Sequence, residues 1–196
     1  MERKKALLVI LLVFVVTLVV ATVLYRQLGK TVATDQLEVQ TPPATQQTDE
    51  TEAQTEPEKM KAPDFTVYDA DGNEVHLTDF VGKPIVLNFW ASWCGPCKME
   101  MPDFNEKYLE LGEEVQFLMI NMTDGSRETV AIASEFIKES GYSFPVFYDT
   151  KMDAANTYGA YSLPMTFFID AEGYPVARAT GAIDGETLMR GIDMIR

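Results

Sequence analysis

Two cysteines three residues apart, Cys94 and Cys97, sit in the stretch Trp93-Cys94-Gly95-Pro96-Cys97, and the chain contains no others. That spacing sets the side chains about one helical turn apart, near enough to close a disulfide. A dithiol of this kind exchanges with a disulfide on another molecule: a thiolate attacks, a mixed disulfide forms, and the second thiol resolves it. The attacking sulfur must be a thiolate, while a free thiol has a pKa of about 8.5. A helix N-terminus lowers that value, because its unpaired N–H groups and the positive end of its macrodipole stabilise an anion. Cys94, at the start of a helix, is therefore the expected nucleophile, and Cys97 the resolving thiol.

The elements that must hold this turn are legible on either side of it. Ile85, Val86, Leu87, Phe89 and Trp90 form an apolar run that suits a central parallel strand covered on both faces. The cysteine turn follows at once, and a helix runs from Pro96 to about Gly112, so the chemistry is expected where the strand ends. Other uses of the cysteine pair fit less well. A zinc site normally takes four nitrogen, sulfur or carboxylate ligands, and beyond the two cysteines the chain has one histidine, His76. No metal is expected, and His76 reads as an ordinary edge residue. A purely structural bridge over so short a loop gains little entropy.

The formal charge of −14 argues against nucleic acid, which needs a basic patch to meet its phosphates. Its plain consequence is a soluble, self-repelling surface. The 196 residues leave room for one domain of ordinary size plus extras.

Those extras lie first. Ala6 to Tyr25 carries no charge and only two threonines, Thr17 and Thr22; such a run spans roughly the 30 Å of a bilayer's hydrocarbon core. Arg3, Lys4 and Lys5 precede it, which under the positive-inside rule keeps the N-terminus cytoplasmic and the rest of the chain outside. A cleaved signal peptide is the alternative, but its apolar core is usually about 7–15 residues, and Val19-Val20-Ala21 makes a poor cleavage site. Residues 1–26 are thus expected to be a single transmembrane signal-anchor. Residues 27–60 are dominated by Thr, Gln, Glu, Asp and Pro and read as a flexible acidic and polar linker, too poor in apolar surface to offset ordering.

The folded domain is expected over 61–196. Phe65–Tyr68 and Glu74–Leu77 read as a hairpin around Asp71-Gly72. Val115–Met122, Phe144–Tyr148, Met165–Asp170 and Pro175–Thr180 read as strands. Arg127–Ser140, ended by Gly141, has helical spacing, as do Asp153–Tyr158 and Asp184–Ile195. Strands alternating with helices and closing on a hairpin indicate an α/β sandwich.

The cysteine motif after a strand, together with Leu163-Pro164-Met165-Thr166 further on, resembles the thioredoxin superfamily. Asn88-Phe89-Trp90-Ala91-Ser92-Trp93 and Cys97-Lys98-Met99-Glu100-Met101-Pro102 are more specifically similar to its membrane-anchored TlpA/ResA-type thiol-disulfide oxidoreductases. The resemblance covers about residues 61–196. It implies a thioredoxin-like three-layer sandwich with an N-terminal β-hairpin and a central strand-helix insertion at about 124–160, preceded by the transmembrane helix. It also implies a cis proline at Pro164 that presents the backbone of Leu163 to substrate, with Trp93, Gly95 and Pro96 as further substrate contacts. Asn88 stands where cytosolic thioredoxins bury an aspartate; an amide cannot take a proton from the resolving thiol. Glu100, three residues after Cys97, is the expected replacement.

The activity implied is an extracytoplasmic, membrane-tethered dithiol-disulfide exchange that needs no cofactor beyond the Cys94–Cys97 pair. Gly95-Pro96 between the cysteines matches thioredoxin, at about −270 mV, rather than the strong oxidants near −120 mV, which favours a reductase. An integral membrane thiol-transferring donor would supply electrons, and disulfides of exported proteins such as apocytochrome c would receive them. A disulfide-forming oxidase, a peroxidase, and a non-catalytic peptide-binding or chaperone-like module are the alternatives.

Overall fold

The computed structural model describes residues 37–39 and 59–196. The apolar N-terminal run and most of the expected linker lie outside the described residues, among which no helix is long and apolar enough to cross a membrane. In chain order the elements are β1 (Leu37–Val39), β2 (Thr66–Tyr68), β3 (Glu74–His76), β4 (Ile85–Trp90), α1 (Gly95–Leu111), β5 (Gln116–Asn121), α2 (Val130–Ser140), β6 (Val146–Tyr148), α3 (Asp153–Tyr158), β7 (Met165–Ile169), β8 (Pro175–Thr180) and α4 (Gly185–Asp193). The eight strands form one sheet in the order β1-β8-β7-β4-β5-β6-β2-β3.

Every residue of β4 is buried, as the unbroken apolar run requires of a strand covered on both faces. It pairs in parallel with β5 and antiparallel with β7, Asn88 lying opposite Met119 on one side and Thr166 on the other. Alternate side chains of a strand point to opposite faces, and the two cores divide accordingly. Val86 and Trp90 pack with Phe104 of α1, Phe168, and Leu188 and Ile192 of α4. Ile85, Leu87 and Phe89 pack on the other face with Ala154 and Ala155 of α3, Phe65 and Leu77. Helices on both faces of the sheet complete the three-layer thioredoxin-like sandwich.

Three departures from the sequence reading bear on function. Leu37–Val39, inside the segment read as a flexible tether, pairs antiparallel with β8, and Glu38 meets Arg178 at 2.7 Å. Backbone ladder bonds to an otherwise open sheet edge order three residues that composition alone assigns to the linker. The helix read from Arg127 begins at Val130, because the Thr129 side chain accepts from Ile132 N and caps it there; Arg127 and Glu128 belong instead to the loop after β5. The central strand is parallel to one neighbour only, since β7 returns antiparallel beside it.

Candidate active site

The turn after β4 delivers Cys94 to the N-cap of α1, with Pro96 in the first turn of the helix, where its missing N–H costs nothing. Cys94 N donates to Ala91 O at 3.1 Å, and Lys98 N to Cys94 O at 3.2 Å. Cys97 N points at Cys94 Sγ, 3.2 Å away, so one of the orphan amides of the helix start already faces that sulfur. The two cysteines are joined as a disulfide, their Cα atoms 5.3 Å apart. Cys97 is sealed in the core and Cys94 is 4% exposed.

Cys94 borders a groove of about 560 Å³, lined also by Trp93, Gly95, Pro96, Leu163 and Arg127. Trp93 is 41% exposed, whereas Trp90 is fully buried, which divides the two tryptophans between contact surface and core. The Leu163–Pro164 peptide bond is cis, as the resemblance implies. Pairing of Phe89 with Met165 brings the start of β7 to the end of β4, and Pro164 immediately precedes it, with Pro164 O accepting from Gly181 N at 2.9 Å. The structure thus brings Trp93, Cys94, Gly95, Pro96 and Leu163 to one groove, with Pro164 buried behind its rim.

Glu100 lies one turn beyond Cys97 on α1 and is 2% exposed. Its Oε1 accepts from Asn88 Nδ2 at 2.9 Å and its Oε2 from Ile183 N at 3.0 Å. Burial, which disfavours the carboxylate, raises its pKa to about 7; the two hydrogen bonds oppose that rise, and nearby Asp103 adds to it. Asn88 Nδ2 also donates to Thr166 Oγ1 at 3.0 Å, leaving Asn88 Oδ1 without a partner. A buried carboxyl with its pKa raised to about 7 therefore sits beside Asn88, whose amide donates to it.

Among the described residues, no group of three or more His, Cys, Asp or Glu side chains is placed to hold a metal ion. His76 is in β3 at the far edge of the sheet, 3.8 Å from Asp64, and takes no part in the dithiol site.

The AhpC/TSA family profile matches residues 59–174. The chain belongs to the AhpC/TSA family. Within this thioredoxin-like family it is similar to the thiol-disulfide oxidoreductase ResA of Geobacillus thermodenitrificans (strain NG80-2), 36% identical over 136 residues that cover 69% of this chain and 76% of that one. It is likewise similar to ResA of Bacillus thuringiensis subsp. konkukian (strain 97-27), 39% identical over 141 residues, covering 68% and 78%. Among solved structures, StoA from Bacillus subtilis superposes with a TM-score of 0.58 at 25% identity, covering 66% of this chain and 96% of StoA. A DsbF homologue from Corynebacterium diphtheriae gives 0.62 at 29% identity, covering 71% and 89%. Like the ResA proteins, this AhpC/TSA member is a thiol-disulfide oxidoreductase.

Sequence reasoning passed over one group beside the site. Glu128, fully buried, accepts from Ser92 N at 2.8 Å, Ser92 Oγ at 2.6 Å and Asn121 Nδ2 at 2.8 Å. The Arg127 guanidinium lies 3.9 Å from the centre of the Trp93 ring. Both residues fall in a polar stretch, Thr123-Asp124-Gly125-Ser126-Arg127-Glu128-Thr129, whose composition is that of any solvated loop, and no spacing singles them out.

Proposed function

We propose that this chain is a membrane-tethered reductase of disulfides in exported proteins, acting on the extracytoplasmic side of a membrane through Cys94 and Cys97. The observation that carries the reading is the placement of Cys94: at the N-cap of α1, with a helix amide aimed at its sulfur and the groove beside it, while Cys97 is sealed behind. The exposed edge of Trp93, with Gly95, Pro96 and Leu163, forms the surface on which an extended segment of substrate lies, and Pro164 holds the backbone of Leu163 toward it.

In the reduced enzyme the Cys94 thiolate attacks one sulfur of a substrate disulfide, forming a mixed disulfide and releasing the other substrate sulfur as a thiolate, which takes up a proton. Cys97 then attacks Cys94 Sγ, giving its proton to Glu100; the Cys94–Cys97 bond forms and the substrate leaves as a dithiol, two electrons richer. Glu100 suits that step because it accepts and returns a proton near pH 7. Electrons return from an integral membrane thiol-transferring donor, which reduces Cys94–Cys97 by the same exchange in reverse. The resemblance to ResA-type proteins supports apocytochrome c as one substrate, the apolar run Ala6–Tyr25 supports the tether, and Arg3, Lys4 and Lys5 support its orientation.

The test is the redox equilibrium of the full-length chain against graded dithiothreitol buffers, following the Cys94–Cys97 bond. A potential near that of thioredoxin, about −270 mV, is expected of a reductase. A value near −120 mV, that of the strong oxidants, sinks the reductase reading in favour of disulfide formation.

A further inference from the structure

Reduction removes the disulfide that ties the Cys94 side chain to α1, so in the dithiol state the placement of that sulfur depends on how the backbone turn before the helix is anchored. On the chain side the anchors are Cys94 N to Ala91 O, Lys98 N to Cys94 O and the contacts of Ser92. Ser92 gives both its amide and its hydroxyl to one carboxylate, that of Glu128, and the same carboxylate takes the Asn121 side-chain amide at the end of β5. The loop that carries Glu128 is itself braced: Asp124 Oδ1 accepts from Ser126 N at 2.7 Å and Glu128 N at 3.0 Å, and Gly125 N donates to Glu128 O at 2.9 Å. Its next residue back, Arg127, covers Trp93, a cation–π contact that fastens the same turn from outside. β4 and β5 also join at this end, through Met122 N to Trp90 O at 2.9 Å.

We propose that Glu128 is a positioning residue for the dithiol: by holding Ser92 against the end of β5 it keeps the Cys94 sulfur at the N-terminus of α1 when the disulfide is open. This rests on the reading of Cys94 and Cys97 as the exchanging pair. The helix-terminus field falls off within a turn, and the amide of Cys97 stabilises an anionic sulfur better than a bridged one. Displacing the turn therefore costs the reduced form more than the oxidised form, in which the Cys94–Cys97 bond does part of the holding. Loss of the anchor makes the protein harder to reduce.

Two substitutions separate position from charge. Glu128→Gln removes the charge and keeps the reach, since its amide oxygen can still accept from Ser92 N and Asn121 while its NH2 donates to Ser92 Oγ. Glu128→Asp keeps the charge and is one methylene too short to hold both partners. The full-length proteins are equilibrated with dithiothreitol buffers, and the denaturant stabilities of their oxidised and reduced forms are compared. For Glu128→Asp the equilibrium constant for reduction is expected to fall about tenfold, about 30 mV for a two-electron couple, with the reduced form losing correspondingly more stability than the oxidised form. Glu128→Gln is expected to stay within about twofold of the unmodified chain.

Equal losses in both redox forms with an unchanged equilibrium constant would make Glu128 a purely structural residue and overturn the proposal. So would a shift in Glu128→Gln without one in Glu128→Asp, which is the signature of a charge effect, or a rise in the constant for Glu128→Asp. If Glu128→Asp does not fold, Ser92→Ala, which removes only the hydroxyl contact, carries the test: a fall of about threefold supports the anchor, and no change overturns it. Failure of the unmodified chain to equilibrate with dithiothreitol at all would instead strike the dithiol reading itself.

Discussion

Replacing Glu100 by glutamine isolates the least ordinary electrostatic feature of the site. The native environment moves this carboxyl from 4.5 to about 7, and at roughly 1.36 kcal/mol per pH unit the folded chain holds its proton about 3 kcal/mol more tightly than the unfolded chain does. With Glu100 2% exposed, solvent screening takes little from that figure. The sign follows from proton counting: between pH 4.5 and 7 the folded form is protonated and the unfolded form is not, so stability falls as pH rises through that window and is level on either side of it. Glu100→Gln has no such proton to lose. The glutamine can be accommodated, because its oxygen still accepts from Ile183 N and a turned Asn88 can offer its unpartnered Oδ1 to the new NH2. Urea denaturation of the oxidised full-length chain and of Glu100→Gln, at half-unit steps from pH 4 to 8, is expected to give a stability difference that changes by about 3 kcal/mol across the window. Burial raises Asp149 as well, but both proteins carry it and it cancels in the difference. Parallel stability profiles would refute the raised carboxyl, and with it the proton-accepting role of Glu100.

Cys97→Ser is expected to accumulate a mixed disulfide between Cys94 and a disulfide-bearing peptide, seen as a one-to-one adduct by mass spectrometry; trapping by Cys94→Ser in its place would reverse the assigned order of attack. Asn88→Ala removes a hydrogen bond that favours the Glu100 carboxylate, so the upper edge of the window of falling stability should extend above pH 7 in the same denaturation series while its lower edge stays put, and an unmoved upper edge counts against the contact. Gly191→Ala drives a methyl group into the Phe168 ring, deep in the α4 interface, and should cost about 1–3 kcal/mol in urea denaturation; unchanged stability would show that α4 stands further from the sheet. Glu38→Ala breaks an ion pair whose side chains are 42% and 65% exposed, so the change should stay under about 1 kcal/mol, whereas a larger loss would mean β1 depends on it.

What the sequence made legible is local. The strand at 85–90, the helix after Pro96 and the two cysteines between them follow from period, apolar run and spacing within a few residues, and so did Gly141, which ends α2 at φ 70. The supporting contacts are not local. Ser92 meets Glu128 across 36 residues, Asn88 meets Thr166 across 78, and Ile183 meets Glu100 across 83. Periodicity tells which face of an element is buried; it carries nothing about which element will lie against it. Hence neither Glu100, between Met99 and Met101, nor Glu128, in a polar stretch, is marked by its sequence neighbours as a buried carboxyl, which both are in the fold. Glu100 stood out through the resemblance to ResA-type proteins, its distance from Cys97 and the amide at Asn88, and Glu128 had no such marker. Leu37-Glu38-Val39 poses the same difficulty in backbone form, since an apolar-polar-apolar triplet in a polar segment becomes a strand only where β8 leaves an edge to pair with. The dithiol is written in one short motif, while the buried carboxyls beside it, Glu100 and Glu128, meet partners from distant turns of the chain only once the strands align.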